Sequence, residues 1–210
     1  MISISKHSGW GNFEAVILEG NDLVHYWRDD SSPSFTWHRG AIITSTATGP
    51  GSLIRSTFKS NSQSPGNFEL IVPEGQKLVH YWHDNSTSGR PWQKTVSITT
   101  TVANGPGTLM QSTGSPGNLE MVVWNGGKLT HWQRNNSVSG LPWAPTADIT
   151  STAAGPGCII QSTSATANVP GNFEVLVLEM PHNLVHYWRD NTVEDTPWRR
   201  GVTISTVAIG

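Results

Sequence analysis

Cysteine is nearly missing from this sequence: Cys158 stands alone in 210 residues, so no disulfide can form within the chain. Charge is scarce as well. Only 13% of residues are charged, with 13 Lys and Arg against 15 Asp and Glu. That faintly acidic balance offers no basic footprint for a phosphate backbone and argues against nucleic acid as a partner. No apolar run reaches the roughly 18–20 residues that cross a bilayer, and the first residues hold no signal-peptide core. The expectation is a protein without membrane insertion, cytoplasmic or released without a signal peptide. Helix formers such as Lys, Glu and Ala are few, whereas 10 Trp, 21 Gly and 13 Pro favour strands and tight turns. Helix should be nearly absent. Cys158, in the apolar run Cys158-Ile159-Ile160, is expected to be a small core residue.

Three markers recur in phase. Gly-Asn-Phe/Leu-Glu stands at 11–14, 66–69, 117–120 and 171–174. Leu-Val-His-Tyr-Trp-Arg-Asp begins at Leu23 and Leu184, a copy with His83 in place of Arg begins at Leu78, and a degraded copy, Leu-Thr-His-Trp-Gln-Arg-Asn, begins at Leu129. A further Trp follows at 37, 92, 143 and 198, and Gly-Pro-Gly separates the units at 49–51, 105–107 and 155–157. Each unit holds four short strand candidates divided by Gly, Pro, Asn, Asp and Ser clusters.

Four β-rich units of about fifty residues predict an all-β, four-bladed β-propeller with four strands per blade, a single domain over residues 1–210. Counted from Gly11, the repeats are 11–65, 66–116, 117–170, and 171–210 completed by 1–10. The fourth unit stops at Ile209-Gly210, short of the strand that follows Gly51 in the first. Ile2 to Lys6 falls where Thr108 to Ser112 precedes Gly117, so the N-terminal strand is expected to join the last blade and close the ring. Within a unit, a hairpin turning at Gly20-Asn21 would oppose Val16 to His25 and Glu14 to Trp27. Glu and His then become diagonal neighbours on one face.

The repeated His25, His80, His131 and His186 could in principle surround one axis and hold a metal. In the framework alternative each imidazole satisfies the Glu of its own unit, Glu14, Glu69, Glu120 or Glu174, as a buried polar pair. No local spacing resembles a metal-ligand pair. No unit has an acid pair, a Ser-His-Asp set or a phosphate-cradling glycine loop that its siblings lack, so neither catalysis nor a cofactor is expected.

The strand ends are the candidate binding residues: Trp27, Arg28 and Asp29; Trp82, His83 and Asp84; Trp188, Arg189 and Asp190. The third unit keeps Arg134 but has Gln133 for Trp and Asn135 for Asp, so its site is expected to be weak or lost. A Trp face suits the C–H face of a sugar ring, while Arg and carboxylate direct hydrogen bonds to hydroxyls. Trp37, Trp92, Trp143 and Trp198 form a second aromatic series, set at the blade edge by a preceding Pro in three units. The Trp-rich, Asn/Gly-rich repeat resembles the β-propeller lectins of the tachylectin/tectonin-like group. That resemblance implies glycan or glycoconjugate binding without turnover, with avidity from repeated sites. Two other functions fit: a metal- or small-ligand-binding ring of hemopexin-like architecture, and a protein-interaction scaffold with a Trp rim. Assembly into a homo-oligomer is left open.

Overall fold

The computed structural model describes residues 2–7, 10–59, 65–86, 89, 91–99, 106–113, 116–164, 166, 169–193 and 195–208. Gly105, Ile209 and Gly210 lie outside them. Every regular element among the described residues is a strand, in line with the composition. The chain divides into two compact units, residues 1–100 and 101–210.

In the first unit, β1 (Ile2–His7), β2 (Trp10–Glu19), β3 (Asp22–Arg28) and β4 (Trp37–Thr44) form one antiparallel meander. A second comprises β5 (Ser52–Arg55), β6 (Phe68–Glu74), β7 (Lys77–His83) and β8 (Gln93–Thr99). The second unit repeats the plan. Its third sheet is β9 (Pro106–Gln111), β10 (Leu119–Trp124), β11 (Leu129–Arg134) and β12 (Trp143–Thr150). Its fourth is β13 (Cys158–Gln161), β14 (Phe173–Glu179), β15 (Asn183–Arg189) and β16 (Arg199–Ser205). Four such four-stranded antiparallel sheets are consistent with a four-bladed propeller.

The predicted hairpin register holds. Val16 opposes His25 and Glu14 opposes Trp27, with Glu19 against Asp22 across the turn. Gly20 turns at φ +64° and Gly75 at φ +61°, a left-handed conformation that favours glycine in tight hairpins.

The N-terminal strand departs from expectation. β1 pairs with β2, Ile2 opposite Ala15 and Ile4 opposite Phe13, while the fourth sheet owns all four of its strands. The strand before each Gly-Asn-Phe-Glu marker belongs with that marker; Leu53 and Ile54, for instance, pair with Leu70 and Glu69. Counting from Gly11 moved this strand into the preceding repeat and made the last one look incomplete. Only two residues separate β1 from β2, so their hairpin closes at little entropic cost.

Alternation gives each sheet two faces. On the first sheet Glu14, Val16, Leu18, Leu23, His25 and Trp27 share the front, and Phe13, Ala15, Ile17, Glu19, Tyr26 and Arg28 the rear. In each unit the front of one sheet packs on the rear of the next. Val16, Leu23 and Leu18 meet Phe68, Leu70, Val72, Val79 and Tyr81. Val122, Leu129 and Trp124 meet Phe173, Val175, Val177, Val185 and Tyr187 in the same way. Each fully buried Leu or Val contributes about 1.5–3 kcal/mol, so these two layers bind the two sheets of each unit together. The first strands of neighbouring sheets also lie together, β1 against β5 and β9 against β13.

Cys158 is exposed, contrary to the core position expected for it. Alternation along β13 buries Ile159 and turns Cys158 and Ile160 to the open front of the fourth sheet.

Candidate functional site

Each repeat builds the same carboxylate–imidazole pair on its front face. His25 Nε2 lies 2.8 Å from Glu14 Oε2, His80 2.7 Å from Glu69, His131 3.0 Å from Glu120, and His186 2.6 Å from Glu174. The diagonal placement of Glu and His on adjacent strands produces this contact, and the Nε2–H donates to the carboxylate. In the second and third sheets Thr95 and Thr146 place a hydroxyl within 3.0 and 2.7 Å of the other imidazole nitrogen. Gly40 and Gly201 occupy that position in the first and fourth sheets, where a Cβ would press on His25 and His186.

Opposite the pair of the first and third sheets stands an aromatic wall supplied by the following sheet of the same unit. The His25 ring packs against Phe68 at 5.8 Å and edge-on to Trp92 at 5.7 Å, with His83 beside Trp92. His131 meets Phe173 at 5.5 Å and Trp198 at 5.6 Å in the same arrangement. Trp92 and Trp198 of the second Trp series therefore line the cleft within each unit. Trp27, on the same face as Glu14 and His25 but nearer the loops, stacks on His38 at 4.2 Å. Trp188 carries Arg199 over its ring at 5.0 Å. Trp82 stands opposite Glu69, and Gln133, in the corresponding place, donates to Glu120 at 3.1 Å.

The Trp-Arg-Asp triplets do not converge. Trp27 is on the front and Arg28 on the rear, where its guanidinium covers Phe13 at 4.3 Å and faces Phe35 and Trp37. Arg189 similarly covers Phe173. The nitrogen donors Arg28, His83, Arg134 and Arg189 each bind the residue two positions on, Asp30, Asn85, Asn136 or Asn191. Asp29, Asp84 and Asp190 accept the backbone N–H of Ser31, Ser86 and Thr192, and Asn135 accepts that of Ser137. These residues build the turn leaving the strand, which explains why Asn serves as well as Asp. Trp143 stands opposite Arg134 on the third sheet.

A second polar cluster escaped the sequence reading. The Glu74 carboxylate accepts Tyr81 at 2.6 Å, Lys94 at 2.7 Å and, from the preceding sheet, Thr44 at 2.7 Å. Glu179 gathers Tyr187, Arg200, Thr150 and Thr152. Glu19 binds Tyr26 and Arg39. The signal was a Glu-to-Tyr interval of seven, seven and eight residues, absent from the third repeat, which has Asn125 and Trp132 there.

Burial pushes the Glu74 and Glu179 carboxyls up, but the hydrogen bonds outweigh it and hold both below their ordinary value near 4.5. A carboxyl depressed in the folded state adds stability above its unfolded pKa and loses it as pH falls through the folded one. Chemical denaturation should therefore show stability declining below about pH 4.5, and less steeply in Glu179→Gln. An unchanged slope in that variant would remove the cluster as a source of the acid response.

No protein-family model matches the chain, and no similar curated protein sequence is found. Solved structures do match. The SapL1 lectin in complex with alpha methyl fucoside aligns at TM-score 0.67 and 9% identity over 95% of this chain and 63% of its own. AofleA from Arthrobotrys oligospora gives 0.70 and 12%, over 99% and 58%. A mutant of the Aleuria aurantia lectin in complex with alpha-methyl-L-fucoside gives 0.65 and 15%, over 96% and 59%. The chain thus spans about six-tenths of the length of these proteins, and what it shares with the lectins is their fold.

Proposed function

We propose that the chain is a carbohydrate-binding protein acting without turnover, with sugars held at the loop-side mouths of the clefts between sheets. The observation that carries this reading is the half-buried indole that ends the front-face strand in three repeats, Trp27, Trp82 and Trp188, opposite Glu14, Glu69 and Glu174. The Glu14–His25 and Glu120–His131 couples, packed against Phe68 and Trp92 and against Phe173 and Trp198, fix the shape of the clefts. An indole face takes the apolar side of a sugar ring, while the polar groups packed beside it, His38 at Trp27 and Arg199 at Trp188, direct its hydroxyls. The lectin neighbours solved with methyl fucosides support a monosaccharide-sized ligand. Repetition makes binding multivalent, with the third repeat weakest, because Gln133 replaces the strand-end indole and occupies Glu120.

A glycan array, followed by calorimetry with methyl α-L-fucoside and any sugar retained on the array, tests the reading. Loss of one aromatic stacking contact is worth about 0.5–1.5 kcal/mol, so Trp27→Ala should weaken sugar binding several-fold to tenfold with the melting temperature unchanged. Absence of binding to every glycan would end it.

A further inference from the structure

Among the described residues, two sheet faces lack the cover that their equivalents have. On the front of the fourth sheet Leu176 is 41% exposed, whereas its equivalents Val16 and Val122 are 5% and 0% exposed. Ile160, Cys158 and the Glu174–His186 pair are open beside it and line one shallow cavity. His25 and His131 each have a Phe and a Trp packed on the ring; the described residues place no such wall on His186. On the rear of the first sheet Ile17 is 45% exposed, whereas its equivalents Val72 and Val177 are 0% and 1%. Trp37 and Phe35 are also exposed there.

The missing partner of each face has a defined chemistry, because the repeats show what covers it. A front face with its Glu–His pair takes a rear face carrying Phe and Trp. The polar rim matches as well. Thr44 and Thr150 accept the N–H two residues on and donate to Glu74 and Glu179 of the next sheet. Ser205, opposite Leu184 as Thr44 is opposite Leu23, accepts the Val207 N–H in the same manner. Glu19 is bound by Tyr26 and Arg39 of its own sheet, and no hydroxyl from another sheet reaches it among the described residues.

We propose that the front of the fourth sheet docks on the rear of the first sheet of a second copy of this chain. The contact is head-to-tail and repeats the packing seen inside each unit. Phe13 and Trp37 of one copy complete the aromatic wall over His186 of the other, and Ser205 donates to Glu19 across the rim.

Sedimentation velocity over a wide concentration range tests this on the 210-residue chain. The chain should self-associate, and the Cys158 thiol should react with a maleimide more slowly in the associated form than in dilute solution. Leu176→Asp and Ile17→Asp should each abolish association, and both should melt like the parent when dilute because the replaced side chains are exposed. An equimolar mixture of the two variants should regain a dimer, since one copy keeps a sound rear and the other a sound front. A monomer at every concentration overturns the proposal, as does association that survives both substitutions or a mixture that does not recover. Dimerisation and sugar binding are read separately, so loss of one leaves the other standing.

Discussion

His131→Ala is expected to destabilise the fold by about 3–5 kcal/mol, because Glu120 is left buried without its imidazole. The side chains of this pair are 0% and 1% exposed. For a chain of this size the melting temperature should fall by roughly 6–20 °C. His186→Ala serves as the comparison. Its pair with Glu174 is 30% and 24% exposed, and solvent screens it, so dilute protein should lose no more than about 1 kcal/mol. Replacing both partners of the buried pair with apolar residues, Glu120→Met with His131→Phe, should recover most of the loss, because no uncompensated charge remains. Equal melting temperatures for His131→Ala and His186→Ala would contradict the idea that burial sets the worth of these pairs.

The second large effect is expected at the glycine of the Gly-Asn-Phe-Glu marker. A Cβ on Gly171 would lie 1.7 Å from the Ser162 carbonyl oxygen, and one on Gly66 1.6 Å from that of Ser56. The neighbour is backbone, held by the Ser162-to-Asn172 and Ser56-to-Asn67 hydrogen bonds, and cannot swing aside as a side chain would. Gly171→Ala and Gly66→Ala must therefore displace the strand that precedes the marker, at about 1–3 kcal/mol or more. Gly155 has open space around its Cβ position, so Gly155→Ala should be close to neutral. Denaturant unfolding of the three variants checks this, and a neutral Gly171→Ala would mean that the close approach relaxes freely.

These two results bear on how much of the molecule was legible in its sequence. The marker glycines and the Glu–His set were both visible as repeats, and the hairpin register followed from a two-residue turn. With the register known, the pairing of Glu14 with His25 is a consequence of local strand geometry. The Glu–Tyr–cation clusters went unnoticed because they assemble from three strands, and at Glu74 and Glu179 they take a hydroxyl from a second sheet. Trp27 and Arg28, adjacent in sequence, were expected to share a site, but neighbours along a strand point to opposite faces.

The repeat by itself determined the all-β class, the four strands in each of four sheets, the turn positions and the internal carboxylate–imidazole pairs. All of these depend on interactions between residues close in the chain or on a pattern stated four times. Tertiary structure alone decided which sheet receives the first strand, that the strand-end acids are spent on turns, and that Cys158 and Leu176 face outward. Those features depend on what lies against each face, and similar repeats acquire different surroundings according to which of their faces is covered within a unit.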